Sequence, residues 1–123
     1  MGAAAVDTRQ VTRTIQVSTT DAFRFIPDAL NVRAGESIAF EIRNPGTLPH
    51  EFFIGTSAEQ LAHEREMASG AATLTEANAV DVPAGMTVRL VYTFDHPGML
   101  EYGCHVPGHF SAGMRGTITV TPA

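Results

Sequence analysis

Apolar and polar positions alternate repeatedly along this chain. Residues 11–17 (VTRTIQV) alternate β-branched apolar with polar side chains, the period of a strand with one buried face. The same pattern returns in residues 37–42 (SIAFEI), 86–92 (MTVRLVY) and 117–120 (TITV), and the short runs 51–54 and 100–104 are two further candidate strands. Turn residues separate them: Gly35, Pro45-Gly46, Pro83 with Gly85, and Pro97-Gly98 supply the φ values that sharp reversals require. Short strands with regular turns predict an all-β fold, a β-sandwich.

One segment departs from this period. In residues 56–69 (TSAEQLAHEREMAS), Thr and Ser are followed three positions later by Glu59 and Gln60, and good helix formers then run to Gly70. This predicts a short helix over 57–68. Residues 70–79 are small and polar and read as a loop back to the sandwich. Residues 1–10 are expected to be a flexible N-terminal segment and 11–123 one domain, since 123 residues suit one core.

With 44% hydrophobic and 17% charged residues the chain has enough apolar matter to fold alone. Its formal charge of -5, without a Lys/Arg run, argues against nucleic acid as a partner. No apolar run approaches the roughly 20 residues of a membrane helix, so no membrane span is expected. Residues 1–5 (MGAAA) lack the basic and apolar regions of a signal peptide; a leader already removed is the expectation. The single cysteine, Cys104, excludes an internal disulfide and calls for another role.

That role is suggested by residues 100–116 (LEYGCHVPGHFSAGMRG), where Cys104, His109 and Met114 follow one another at intervals of five. Thiolate, imidazole and thioether on one loop suit copper, which accepts both sulfur and nitrogen. Five extended residues span roughly 17 Å, so the loop must fold back for these side chains to meet. Pro107-Gly108 and Gly113 provide the bends. A trigonal His₂Cys set with a weak axial Met needs a second imidazole from elsewhere in the fold. His50, after Pro45-Gly46 and at the head of the apolar run 52–54, is the best candidate; His63 on the helix and His96 in a turn are weaker ones. His105 should point away if Cys104 points inward, because strand neighbours alternate.

On these residues the chain resembles the cupredoxins, the small blue copper proteins, over about residues 11–120. The resemblance implies a Greek-key β-sandwich and one type 1 copper held by His50, Cys104, His109 and Met114. The loop spacing is similar to that of the rusticyanin and auracyanin branch. It further implies a single-electron carrier rather than an enzyme, monomeric, periplasmic or otherwise extracytoplasmic, with a cytochrome c or terminal oxidase as partner. By the same analogy the edge of His109, amid Val106, Pro107, Phe110, Ala112 and Met86, would be the electron port. Glu51 departs from the family, where Asn commonly follows the first His and ties the ligand loops together.

An alternative reading is a periplasmic copper-binding or copper-tolerance protein, suggested by His50-Glu51-Phe52 and by His63 and Met67 four apart on the helix. Those two could form a second copper site; otherwise they lie on a solvated helix face. Gly103 before Cys104 and the lack of paired His-x-His motifs argue against a multicopper oxidase, and no Ser-His-Asp set suggests hydrolysis.

Overall fold

Nine strands and one helix are described by a computed structural model that covers residues 11–70 and 77–123. The expected flexible segment, residues 1–10, and most of the predicted 70–79 loop lie outside the described residues. The order is β1 (Arg13–Thr20), β2 (Arg24–Ile26), β3 (Ala29–Arg33), β4 (Ser37–Arg43), β5 (His50–Gly55), α1 (Ser57–Ser69), β6 (Ala79–Val82), β7 (Thr87–Thr93), β8 (Gly98–Gly103) and β9 (Arg115–Thr121). They build two mixed sheets, β2-β1-β4-β7 and β3-β9-β8-β5-β6. Because β1 lies parallel to β4 and β3 parallel to β9, the chain repeatedly crosses between the sheets and closes a sandwich around one core.

Six of these strands match, to within a few residues, the four alternating runs and the two short candidate runs. Three do not appear in that reading: β2, β3 and β6, the last starting at Ala79 where the loop was expected to end. All three are edge strands of three to five residues. They are short and are defined by the neighbour they pair with, so their own sequences carry little periodicity.

Ile38, Phe40 and Ile42 of β4 face Phe52 and Ile54 of β5, Tyr102 of β8, and Ile118 and Val120 of β9 in the core. Phe52 sits at its centre, with ring centroids 5.3 Å from Phe40, 5.8 Å from Phe25 and 5.2 Å from Tyr102. The Tyr102 hydroxyl donates to the Pro27 carbonyl at 2.6 Å, so even this buried polar atom is satisfied. Gly116, opposite Tyr102 in the β8–β9 register, leaves room that a Cβ would take from the Tyr102 ring.

Every residue of β5 is buried, which a strand with one solvated face cannot achieve. Helix α1 covers its second face. The helix starts with a capping box: Glu59 N–H donates to Thr56 Oγ1 at 3.1 Å, and Thr56 N–H to the Glu59 carboxylate at 2.7 Å. It ends at Gly70, whose φ of 76° turns its N–H back to the last carbonyls. Its docking is polar: Gln60 Nε2 donates to the carbonyls of Phe53 in β5 and Glu101 in β8, each at 3.1 Å. No helix among the described residues is long and apolar enough to cross a membrane.

Phe52→Ala removes the ring on which three aromatic neighbours pack. The expected loss is about 3–5 kcal/mol, read as a lower urea midpoint with an unchanged m-value; a loss well under 1 kcal/mol would contradict this core.

Candidate metal centre

β5 begins with His50, and Cys104 directly follows β8. These strands are antiparallel neighbours, paired Phe53 to Gly103, so the start of one and the end of the other lie together at one end of the sandwich. Residues 44–49 deliver His50 through a tightly bonded turn. The buried Asn44 amide donates to the carbonyls of Leu48 (2.7 Å) and Val82 (3.0 Å) and accepts from Gly46 N–H. From the β1–β2 connection, Asp21 accepts from the Thr47 hydroxyl and N–H and from Leu48 N–H. The Thr47 hydroxyl foremost holds the Asp21 carboxyl below its ordinary value.

The segment between β8 and β9 folds back as its spacing requires. His109 N–H donates to Val106 at 2.9 Å, Met114 N–H to His109 at 3.2 Å, and Cys104 N–H to Met114 at 3.1 Å. Gly108 (φ 88°) and Gly113 (φ 103°) occupy the left-handed region at the two bends. Met114 is fully buried beside Cys104.

The structure thereby brings three donors together. His50 Nδ1 and His109 Nδ1 are 3.2 Å apart, and Cys104 Sγ lies 3.8 Å and 3.4 Å from them. A trigonal metal with bonds of about 2.0 Å to nitrogen and 2.3 Å to sulfur would have donor–donor edges of about 3.5–3.8 Å. The three donors fit one ion with small adjustment. Their electrostatics point the same way, for burial pushes the Cys104 thiol up to about 11 and lowers both His50 and His109. In His50 the charge of His109 adds to the effect of burial. The imidazoles therefore keep free lone pairs, and burial foremost keeps the thiol protonated until a metal takes its place.

His109 is only 8% exposed, so no more than an edge of its ring reaches the surface. Phe23 covers it, with ring centroids 4.7 Å apart. Phe23 has a φ of 62°, an uncommon conformation for a bulky residue that costs about 1–3 kcal/mol. Arg24 Nη1 holds this loop to the ligand loop by donating to Phe23 O (2.8 Å) and Ala112 O (3.0 Å). Phe110, expected at the rim, turns inward and stacks on His105 at 4.4 Å. Pro107, Ala112 and Met86 are exposed as anticipated, and Val106 is half-buried. Nothing in the local pattern of residues 20–24 marks Phe23, because only the fold sets it beside His109.

Glu51 and His63 also depart from expectation. His63 is buried, not on a solvated face; it stacks flat on Phe53 at 4.2 Å, and its Nε2 lies 2.8 Å from a Glu51 carboxylate oxygen. Met67 is half-buried. The other Glu51 oxygen accepts from His105 N–H at 3.1 Å, so Glu51 ties the β5 and β8 ends together, the task expected of Asn at this position. Burial pushes the Glu51 carboxyl above its ordinary value, with His63 opposing. His105 turns away from the three donors, as alternation predicts, and meets the helix instead.

A β-sandwich whose strand ends gather two imidazoles, a thiol and a buried thioether defines a small mononuclear metal protein of the cupredoxin class. Residues 11–121 match the copper binding proteins of the plastocyanin/azurin family, and the chain belongs to that family. It is 39% identical over 115 residues to the copper-resistant cuproprotein CopI of Rubrivivax gelatinosus, spanning 93% of this chain and 70% of that one. To CopI of Pseudomonas aeruginosa it is 34% identical over 143 residues, spanning 92% and 78%. The structure of auracyanin B superposes with a TM-score of 0.78 at 24% identity, covering 98% of this chain and 97% of the other, and shares the fold.

Two outcomes follow from this geometry. Copper binding at about pH 7.5 releases about one proton from Cys104, measured by titration calorimetry in buffers of different ionisation enthalpy; no release would remove Cys104 from the ligand set. Phe23→Gly fits the positive φ but uncovers His109, so residue-resolved carbethoxylation of His109 in the metal-free protein rises severalfold while His50 is unchanged.

Proposed function

We propose that this chain is a single-electron carrier holding one type 1 copper at His50, Cys104, His109 and Met114. The observation that carries this reading is the convergence of two imidazole nitrogens and a buried thiol, all within 4.8 Å of one another. Copper would supply the change between two oxidation states. The protein's part is to keep the donors still, since small rearrangement lowers the barrier to electron transfer. Asn44 and Asp21 hold the approach to His50, Glu51 N–H donates to Cys104 Sγ at 3.4 Å, and Phe23 packs on His109. Met114 would provide the weak axial thioether that helps set the potential. Met86, Pro107 and Ala112 form a small exposed rim suited to brief docking of a cytochrome c or an oxidase by a monomer in the periplasm.

A second reading, copper binding for tolerance in the periplasm, is favoured by the two CopI relatives, whose names state copper resistance. Were His63 and Met67 to form a second site, Nδ1 would be the His63 nitrogen to serve it, since Nε2 is engaged by Glu51.

The oxidised copper-loaded protein should show a strong thiolate-to-copper absorption that bleaches reversibly, with one copper per chain, and Cys104→Ala should lose it. A weak spectrum indifferent to Cys104→Ala would sink the carrier reading. Copper tolerance of a deletion strain restored equally by wild type and by Cys104→Ala would separate tolerance from this site.

A further inference from the structure

Helix α1 meets the sandwich with a polar inner face whose partners are unusual. Gln60, His63 and Glu64 stand at i, i+3 and i+4 and so share one side of the helix. They reach Glu51 and His105, the two residues that directly follow His50 and Cys104. We propose that this helix face positions the metal centre by gripping Glu51 and His105, thereby fixing the Cys104 sulfur and its hydrogen bond. This rests on the copper site proposed above.

The grip on His105 acts at both ring nitrogens. Gln60 spends its Nε2 hydrogens on the carbonyls of Phe53 and Glu101, which orients the amide and leaves Oε1 to accept from His105 Nε2–H at 2.6 Å. Glu64 Oε1 lies 2.7 Å from His105 Nδ1 and accepts from it when that nitrogen carries a proton as well. Phe110 stacks on the ring from one side. With both ends and a face held, the ring cannot turn, and the peptide that joins it to Cys104 is fixed with it. Gly103 belongs to the same device, since a Cβ there would press on Gln60 Oε1 and the Phe110 ring.

The grip on Glu51 acts through His63. One carboxylate oxygen takes His63 Nε2 and the other takes His105 N–H, so the side chain bridges helix, β5 and the post-β8 loop. The backbone N–H of the same residue donates to Cys104 Sγ. Hydrogen bonds to a ligand sulfur help set the electronics of a copper site, and residues that orient them tune it.

Stability alone gives no reason for this face. Glu51, Gln60 and His105 are fully buried and His63 nearly so, and desolvating such groups costs free energy that an apolar helix face would not incur. What a greasy interface would lose is direction, because apolar contacts leave a peptide free to tilt where paired hydrogen bonds do not. Helix and metal would thus clamp the same two chain segments from opposite sides.

Glu64 is the residue to change, because its side chain is 30% exposed and its loss opens no internal hole. Glu64→Ala, Glu64→Gln and, as an outward control, Arg65→Ala would be made in the full chain. In the metal-free protein, amide exchange at Glu51 and His105 should quicken about tenfold in Glu64→Ala, with Glu64→Gln and the control near wild type. In the copper-loaded protein, Glu64→Ala should shift the ratio of the thiolate-to-copper bands and the copper hyperfine splitting, and weaken copper binding by about tenfold, with Glu64→Gln restoring them. Exchange, spectrum and affinity all at wild-type values in Glu64→Ala would overturn the proposal, as would faster exchange spread evenly over β1 and β4. A wild-type protein lacking the thiolate-to-copper band would instead fail the copper reading, with the exchange measurement still deciding the helix's role.

Discussion

The pairing of β5 with β8 is the constraint on which the centre depends. His50 and Cys104 are 54 positions apart, and only the antiparallel register of Phe53 with Gly103 sets them at one end of the sandwich. A slip of one residue would turn every side chain of β5 to its other face, burying His50 elsewhere and sending Phe52 out of the core. The aromatic packing of Phe52 against Phe25, Phe40 and Tyr102 therefore guards the register as well as the stability. Core and metal centre are products of the same pairing.

Around that centre the protein supplies geometry and low polarity but withholds charge. Burial lowers the two histidines and raises the cysteine, so the surroundings favour the neutral form of all three donors. Two imidazoles and a thiol set this close together suit a single copper ion.

Two surroundings distinguish this chain from the bare ligand set. On the outside, Phe23 and Arg24 draw the β1–β2 loop over His109, accepting backbone strain to narrow its exposure. On the inside, helix α1 meets β5 and β8 through hydrogen bonds rather than hydrocarbon. Both place specific contacts on residues that touch or adjoin the ligands, where small displacements matter most.

Local signals were legible in the chain itself. Period-two alternation marked four of the longer strands and short apolar runs the other two, Thr56 with Glu59 marked the start of the helix, and the Cys104, His109 and Met114 loop with its Pro107-Gly108 and Gly113 bends announced a metal. Such features depend on residues a few positions apart, so sequence order alone determines them. The edge strands β2, β3 and β6, the cover of Phe23 on His109, and the burial of His63 against Glu51 were decided only by tertiary structure. Apart from β2, which pairs with β1 only 4 to 8 positions back but is three residues long, their partners lie 12 to 88 positions away, and no periodicity of a single segment records which distant surface will be brought against it.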